Sequence, residues 1–304
     1  MKMPEELQFI VNARKGQKRT DAQMDGKVCI VTGATSGVGY ETAIRLAQGG
    51  ASLILISRNA KKAENFREKI TREYNIQVDI IQADFSRLQQ VRDAAEVILK
   101  NYPRIDVLIN NAGLHNTRRT LTPEGFETVF CVNHLASFLL TRLLLDRLIE
   151  SAPARIIQVN SQGHRFGGLD LDDLNWERRR YRGLQGYGAS KVAQLLTVWE
   201  LADLLNGSGV TINAMHPGAV ATNIGMNNGL LYRSYQRFLL WPLLKKPKIS
   251  GEAVYYLAAA PEMAEVSGKF FNQTIEEKPA AHALDHELGK RVWQVSEKLT
   301  GLTD

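Results

Sequence analysis

Short aliphatic and β-branched runs recur along the chain at 27–31, 51–56, 78–83, 105–109, 155–159 and 211–215, separated by longer stretches with helical spacing. The run Leu53-Ile54-Leu55-Ile56 shows no polar alternation, which is the pattern of a strand covered on both faces. Between the runs, 40–47 takes up helical spacing and a charged helix follows Asn59. Residues 88–100 are amphipathic, and 126–149 forms a long helix with much apolar surface. Strand alternating with helix predicts an α/β fold, a parallel, doubly wound sheet with helices on both faces and right-handed crossovers. No repeat, low-complexity tract or composition break marks a linker. Residues 26–304 therefore read as one domain behind an N-terminal arm, 1–25, whose Leu7-Gln8-Phe9-Ile10-Val11 suits a short docking helix.

The first strand leads directly into Thr32-Gly33-Ala34-Thr35-Ser36-Gly37-Val38-Gly39 and then a helix. Gly33 lets the chain reverse, Gly37 lets backbone approach a phosphate, and Gly39 lets the helix pack closely. The helix N-terminus offers unpaired N–H groups and partial positive charge to a pyrophosphate. The spacing is Gly-x-x-x-Gly-x-Gly, not the commoner Gly-x-Gly-x-x-Gly. On its own it is equally an ordinary tight βα turn. With the sheet around it, it predicts a Rossmann-type dinucleotide fold. The end of the second strand then selects the cofactor, because an acid there binds the 2′-hydroxyl of NAD and an arginine accepts the 2′-phosphate of NADP. The acid is absent, and Ser57-Arg58 stands in its place.

Composition is that of a soluble globular chain, 44% hydrophobic and 23% charged over 304 residues. A net charge of +6 would suit an anionic partner, but the basic residues are scattered apart from Arg178-Arg179-Arg180 and the cluster Arg14, Lys15, Lys18 and Arg19. A solvated surface accounts for them, and no nucleic acid is expected. Cys29 and Cys131 make no disulfide framework or metal cluster and read as small core residues in a reducing compartment. No run approaches the roughly 18 apolar residues of a membrane span, and the N-terminus lacks the apolar core of a secretory signal. The expectation is a cytoplasmic protein, with peripheral membrane contact and homo-oligomerisation left open.

Further chemistry gathers at strand ends, where open α/β sheets bind ligands. Asp84-Phe85 ends the third strand, Asn110-Asn111-Ala112-Gly113 the fourth, and Asn160-Ser161 the fifth, while the sixth delivers His216-Pro217-Gly218-Ala219-Val220-Ala221-Thr222. After a long polar stretch, 162–186, Tyr187-Gly188-Ala189-Ser190-Lys191 opens a helix, with Tyr187 and Lys191 four apart on one face. With Asn133 on the long helix, these elements in order resemble the short-chain dehydrogenase/reductase family. The branch most similar is the retinol-dehydrogenase-like one, on Leu171-Asp172-Asp173-Leu174-Asn175-Trp176 and Val266-Ser267-Gly268-Lys269-Phe270-Phe271. The chain departs from the pattern at Asn160, where the family often has a second serine. It also departs in lacking the membrane-anchoring N-terminal segment of microsomal members, which argues against retinoid itself as the expected substrate.

The resemblance implies an oxidoreductase with Asn133, Ser161, Tyr187 and Lys191 as catalytic residues. Hydride reduction of a carbonyl puts negative charge on oxygen, so the site needs a proton donor and a hydrogen-bond donor. Tyr187 would be the acid, its pKa of about 10 lowered by the Lys191 ammonium. Ser161 would orient the carbonyl and Asn133 would anchor a water linking Lys191 to solvent. By the same resemblance Gly33, Thr35, Ser36, Gly37, Val38 and Gly39 cradle the cofactor phosphates and Arg58 takes the 2′-phosphate. Asp84 and Phe85 frame the adenine, and Asn111 the neighbouring ribose. Tyr187 and Lys191 contact the cofactor as well; Pro217, Gly218 and Val220 meet the nicotinamide, and Thr222 lies near the phosphates. The cofactor expected is NADP(H). An NAD-dependent alcohol dehydrogenase and a non-catalytic dinucleotide-sensing protein are the alternatives. The apolar stretch 229–248 predicts a flap over a small lipophilic carbonyl or alcohol, with a helix pair packed on the core or a second subunit as the other reading.

Overall fold

The structure, a computed structural model, describes residues 12, 15–218, 220 and 246–303. Thr222, most of the 229–248 stretch and residues 1–11 of the arm lie outside the described residues. The strands are β1 (Val28–Thr32), β2 (Ser52–Ser57), β3 (Val78–Gln82), β4 (Val107–Asn110), β5 (Ala154–Val159), β6 (Val210–His216), β7 (Phe270–Asn272) and β8 (Ile275–Glu276). They form one sheet in the order β3-β2-β1-β4-β5-β6-β7-β8. All neighbours pair in parallel except β7 and β8. Six strands match the aliphatic runs within a residue or two. β7 and β8, of three and two residues, are too short to carry a period and were not foreseen.

The main helices are α1 (Gly37–Gln48), α2 (Ala60–Tyr74), α3 (Leu88–Asn101), α4 (Thr128–Glu150), α5 (Gly183–Leu204), α6 (Lys248–Ala259) and α7 (His286–Thr300). Successive strand residues point to opposite faces, so the sheet builds two cores. Ile30, Ile54 and Ile56 pack with Val91 of α3, Leu139 of α4, Leu196 of α5 and Val292 of α7. Cys29, Val31, Leu53 and Leu55 pack with Leu46 of α1, Phe66 of α2 and Val254 of α6. Both cysteines are free and buried, as expected. The helix α4 is long and apolar enough to cross a bilayer by length and composition, but most of it is buried in this core.

The described part of the arm lies along the domain. Met24 donates its N–H to the Gly49 carbonyl at 2.6 Å, Arg45 donates to the Thr20 carbonyl, and Tyr255 donates to that of Ala22. Further out, Lys18 N–H meets Thr274 Oγ1 at 2.8 Å and Asn12 Nδ2 donates to Glu277 at 3.2 Å. The sheet ends on one side at β8, flanked by the pair Lys269–Glu276 (3.3 Å). It ends on the other at β3, whose Asp79 accepts from Gln77 and the Tyr102 hydroxyl.

Candidate active site

The chain leaves β1 toward α1 on one face and β4 toward α4 on the other, which opens a crevice at the carboxyl ends of these adjacent strands. The glycine turn fills one lip. Gly33 and Gly37 hold φ of +68° and +59°, a left-handed backbone that favours glycine. A Cβ on Gly39 would lie 2.4 Å from Asn111 Nδ2 and 2.6 Å from the Gly33 carbonyl. Asn111 is thus a staple: its Nδ2 donates to the Thr32 carbonyl at 2.8 Å, and Thr32 Oγ1 accepts from the N–H groups of Asn111 and Ala112. Ser36 caps α1 in extended conformation with no side-chain capping bond, and no acid sits in the first turn. The turn therefore presents backbone donors and a half-exposed Thr35 with no competing carboxylate. Arg58 is exposed beyond β2 and forms no ion pair with the described residues. Asp84 follows β3 in a tight turn, accepting from Ser86, whereas the Phe85 ring is buried in the core and its carbonyl takes the Cys131 thiol, so this ring does not frame the adenine as expected.

Across the crevice, Ser161 ends β5 and caps a 3₁₀ turn, Gln162–Phe166, its Oγ accepting the Gly163 N–H at 3.0 Å. That bond leaves the hydroxyl proton to donate elsewhere. α5 starts at Gly183, one turn before Tyr187. The expectation that Tyr187 opens the helix is corrected: Arg182 supplies no capping side chain, and the glycines that look like loop are places of close contact. A Cβ on Gly186 would meet the Tyr181 ring at 2.7 Å, and one on Gly188 the Gly167 carbonyl at 2.6 Å. Lys191 Nζ stands 5.7 Å from the centre of the Tyr187 ring and donates to the Val159 carbonyl (3.1 Å) and Gln194 Oε1 (2.8 Å). Asn133 lies in a π-helical turn, Cys131–Leu135, inserted in α4, a distortion common at functional sites. Its side chain bonds Leu114 N–H (2.8 Å) and Ser190 Oγ (2.9 Å), holding the β4 loop to α5.

Burial dominates the electrostatics. It pushes the Tyr187 phenol up to about 12, with the Ser161 hydroxyl pulling partly back. It pushes the Lys191 ammonium down to about 7. The expected lowering of Tyr187 by the ammonium is therefore absent here. Desolvation opposes both charged forms, and two carbonyl oxygens, not the phenol, hold the ammonium. Burial also lowers His115, which sits edge-on to Tyr187 at 5.6 Å.

Residues 27–230 match the short chain dehydrogenase family model. The chain belongs to the short-chain dehydrogenase family. This short-chain dehydrogenase is 42% identical over 286 residues to human retinol dehydrogenase 13, covering 92% of this chain and 86% of that protein. In structure it is similar to an uncharacterised protein from Mycobacterium paratuberculosis, with a TM-score of 0.74, 30% identity and coverage of 92% and 95% of the two chains. A Shigella flexneri short chain dehydrogenase solved with NADP gives a TM-score of 0.67 at 25% identity, covering 84% and 99%. The short-chain dehydrogenase is thus an oxidoreductase of the alcohol and carbonyl class that uses a nicotinamide dinucleotide. Its crevice fits that cofactor, since each glycine of the turn stands where a Cβ would collide or where φ is positive.

Beyond β6, Pro217 is held by Ser250 and Gln273, which donate to its carbonyl at 2.7 and 3.1 Å. Gly218, at φ +81°, donates to His216 Nδ1, and Val220 is buried against the α1 and α6 core. Three site residues were not anticipated. Gly163 lies under Tyr187, Gln194 bonds Lys191, and Asn160, where the chain departs from the family pattern, bonds both Ser161 and Lys191. Asn160 Nδ2 donates to the Lys191 carbonyl (2.9 Å) and Gln194 (3.1 Å), and its Oδ1 accepts the Ser161 N–H at 2.8 Å. The Lys191–Gln194 bond is an i,i+3 contact within α5, whereas the contacts of Gly163 with Tyr187 and of Asn160 with Lys191 join separate segments that no spacing rule connects.

Proposed function

We propose that this short-chain dehydrogenase transfers a hydride between NADP(H) and a lipophilic carbonyl or alcohol. The observation that carries the reading is the convergence of Ser161, Tyr187 and Lys191 at one end of the sheet. When bound, the dinucleotide supplies or accepts the hydride. The protein's own part is to place and protonate the substrate oxygen. Ser161 Oγ, its lone pair engaged by Gly163, donates its proton toward that oxygen. Tyr187, kept protonated by burial, gives its phenolic proton as negative charge develops there. Lys191, with two of its three donors committed to Val159 and Gln194, keeps the third for the cofactor or the substrate.

NADP(H) is favoured because Arg58 is unpaired with any described carboxylate at the position that discriminates the 2′-group. A lipophilic substrate is favoured by Phe166 and Leu184, which stay 51% and 56% exposed on the elements that carry Ser161 and Tyr187. The free buried cysteines support a reducing, cytoplasmic setting.

The test replaces Tyr187 with Phe and assays a panel of aliphatic and polar carbonyls and alcohols by NADPH absorbance. Turnover is expected to fall about 10²–10⁴-fold with cofactor binding kept. Wild-type turnover in the folded variant would sink the mechanism. Cofactor binding by the wild type with no turnover of any substrate would favour a dinucleotide-sensing protein.

A further inference from the structure

The turn between β7 and β8, Gln273-Thr274, is buried, where the tip of a hairpin usually meets solvent. Gln273 also holds φ of +57°, a left-handed backbone that residues with a side chain rarely adopt. Inward, the Gln273 N–H donates to the His216 carbonyl at 2.9 Å and its Nε2 to the Pro217 carbonyl at 3.1 Å, which fixes the segment leaving β6. Outward, Gln17 Oε1 in the arm accepts from the Thr274 N–H at 3.0 Å and from the Thr274 hydroxyl at 2.8 Å. That hydroxyl oxygen in turn accepts the Lys18 N–H, so each proton is used once. Just beyond the turn, Glu277 Oε2 accepts from the buried Asn12 of the arm, and Oε1 accepts from Gln162, the neighbour of Ser161. One short segment, 273–277, thus meets the arm on its outer side and two site-building turns on its inner side.

We infer that Asn12 and Gln17 are positioning residues, by which the N-terminal arm clamps the β7–β8 turn and so sets the active site from behind. The clamped turn holds Ser161 through Glu277 and Gln162, and holds the Pro217-Gly218 turn through Gln273. The inference rests on the reading of Ser161 and of the dinucleotide crevice given above. The two arm residues work in opposite senses, which decides what each can be replaced with. Asn12 is a donor to a carboxylate, whereas Gln17 is only an acceptor toward Thr274. A carboxylate at 17 therefore keeps the clamp, and a carboxylate at 12 sets like charge against Glu277 and opens it.

The experiment starts on the full chain without cofactor. Amide hydrogen exchange, read by mass spectrometry, compares wild type with Asn12→Asp, Gln17→Leu and Gln17→Glu; Asn12→Leu, which adds no charge, replaces Asn12→Asp should that variant not fold. Peptides covering 270–277 are expected to exchange at least about threefold faster in Asn12→Asp and Gln17→Leu, and those covering 160–167 in Asn12→Asp, while β1 and β2 exchange as in wild type. Fluorescence titration should show the Kd for NADPH rising about 3–10-fold in Gln17→Leu, the order of one net hydrogen bond. Gln17→Glu should match wild type in both measurements. Unchanged exchange at 270–277, a rise spread equally over the whole sheet, or equal behaviour of Gln17→Leu and Gln17→Glu would overturn the proposal. Failure of the parent reading shows differently, as wild type that binds no dinucleotide, or wild-type turnover in Tyr187→Phe, with the exchange differences still present.

Discussion

A methyl group on Gly163 would lie 2.5 Å from Cε1 of Tyr187 and 3.3 Å from Ser161 Oγ. The tyrosine ring therefore rests directly on the backbone of the turn that carries the serine, and the two hydroxyls are set relative to each other by this contact. Gly163→Ala should push the ring away at a cost of about 1–3 kcal/mol of overpacking. A displacement of an ångström in a catalytic group can cost about 10²-fold, so kcat should fall 10–100-fold while circular dichroism stays that of wild type. Unchanged kcat would mean that the ring does not need this seat.

Arg58 stands at the end of β2 without a carboxylate partner among the described residues. A charge-assisted bond to phosphate is worth roughly 1.5–3 kcal/mol. Arg58→Ala should thus weaken NADPH by about 10–100-fold and leave NADH nearly unchanged. Fluorescence titration of both cofactors checks this, and equal binding of the two by wild type would remove Arg58 from the role.

Acid sensitivity follows from histidines buried in their neutral form. Burial, then the Lys191 charge, pushes His134 down to about 3; burial, opposed by the Ser161 carbonyl, holds His164 near 4. In the unfolded chain both titrate near 6.5. Below that pH the unfolded chain binds protons that the folded one refuses. The stability is complete above 6.5 and is lost as pH falls toward 3–4, by up to about 1.4 kcal/mol per pH unit for each group. Between pH 7 and 5, urea unfolding should show wild type losing about 1–2 kcal/mol more than His134→Gln. Parallel losses would show that His134 titrates normally.

Glu277 is a buried carboxylate that gathers four donors. Gln162 Nε2 and Arg165 Nη2 (3.2 Å) reach one oxygen, and Asn12 Nδ2 (3.2 Å) and Asn272 Nδ2 (3.0 Å) the other. Burial raises its pKa, but the Gln162, Asn12 and Asn272 donors and the neighbouring His216 outweigh that and hold the carboxyl below its usual range. Glu277→Ala would strand these donors, at a cost of about 3–5 kcal/mol, read as a lower urea midpoint. Because Gln162 follows Ser161 directly, KM should rise as well. A variant as stable as wild type would contradict the account.

Six strands were legible because a parallel strand covered on both faces leaves a continuous aliphatic run, as in Leu53 to Ile56. β7 and β8 escaped because a segment of two or three residues has no period. In the site, Tyr187 and Lys191 could be read because helical spacing puts them on one face, and Gly33 and Gly37 because only glycine takes that backbone easily. Gln194, Asn160 and Glu277 could not. Each acts through bonds between segments that lie far apart, 265 residues in the pair Asn12 and Glu277.

The two margins of the sheet differ in length but share one chemical habit. β8 offers two residues, one of them Glu276 paired with Lys269, and β3 carries Asp79 tied to Tyr102. Strand edges that are short or charged make poor templates for a neighbouring chain. Concentrated or partly heated samples should therefore remain free of edge-to-edge fibre growth for as long as the margins hold, and Asp79→Val, which turns β3 into an apolar border, is the change that would invite it.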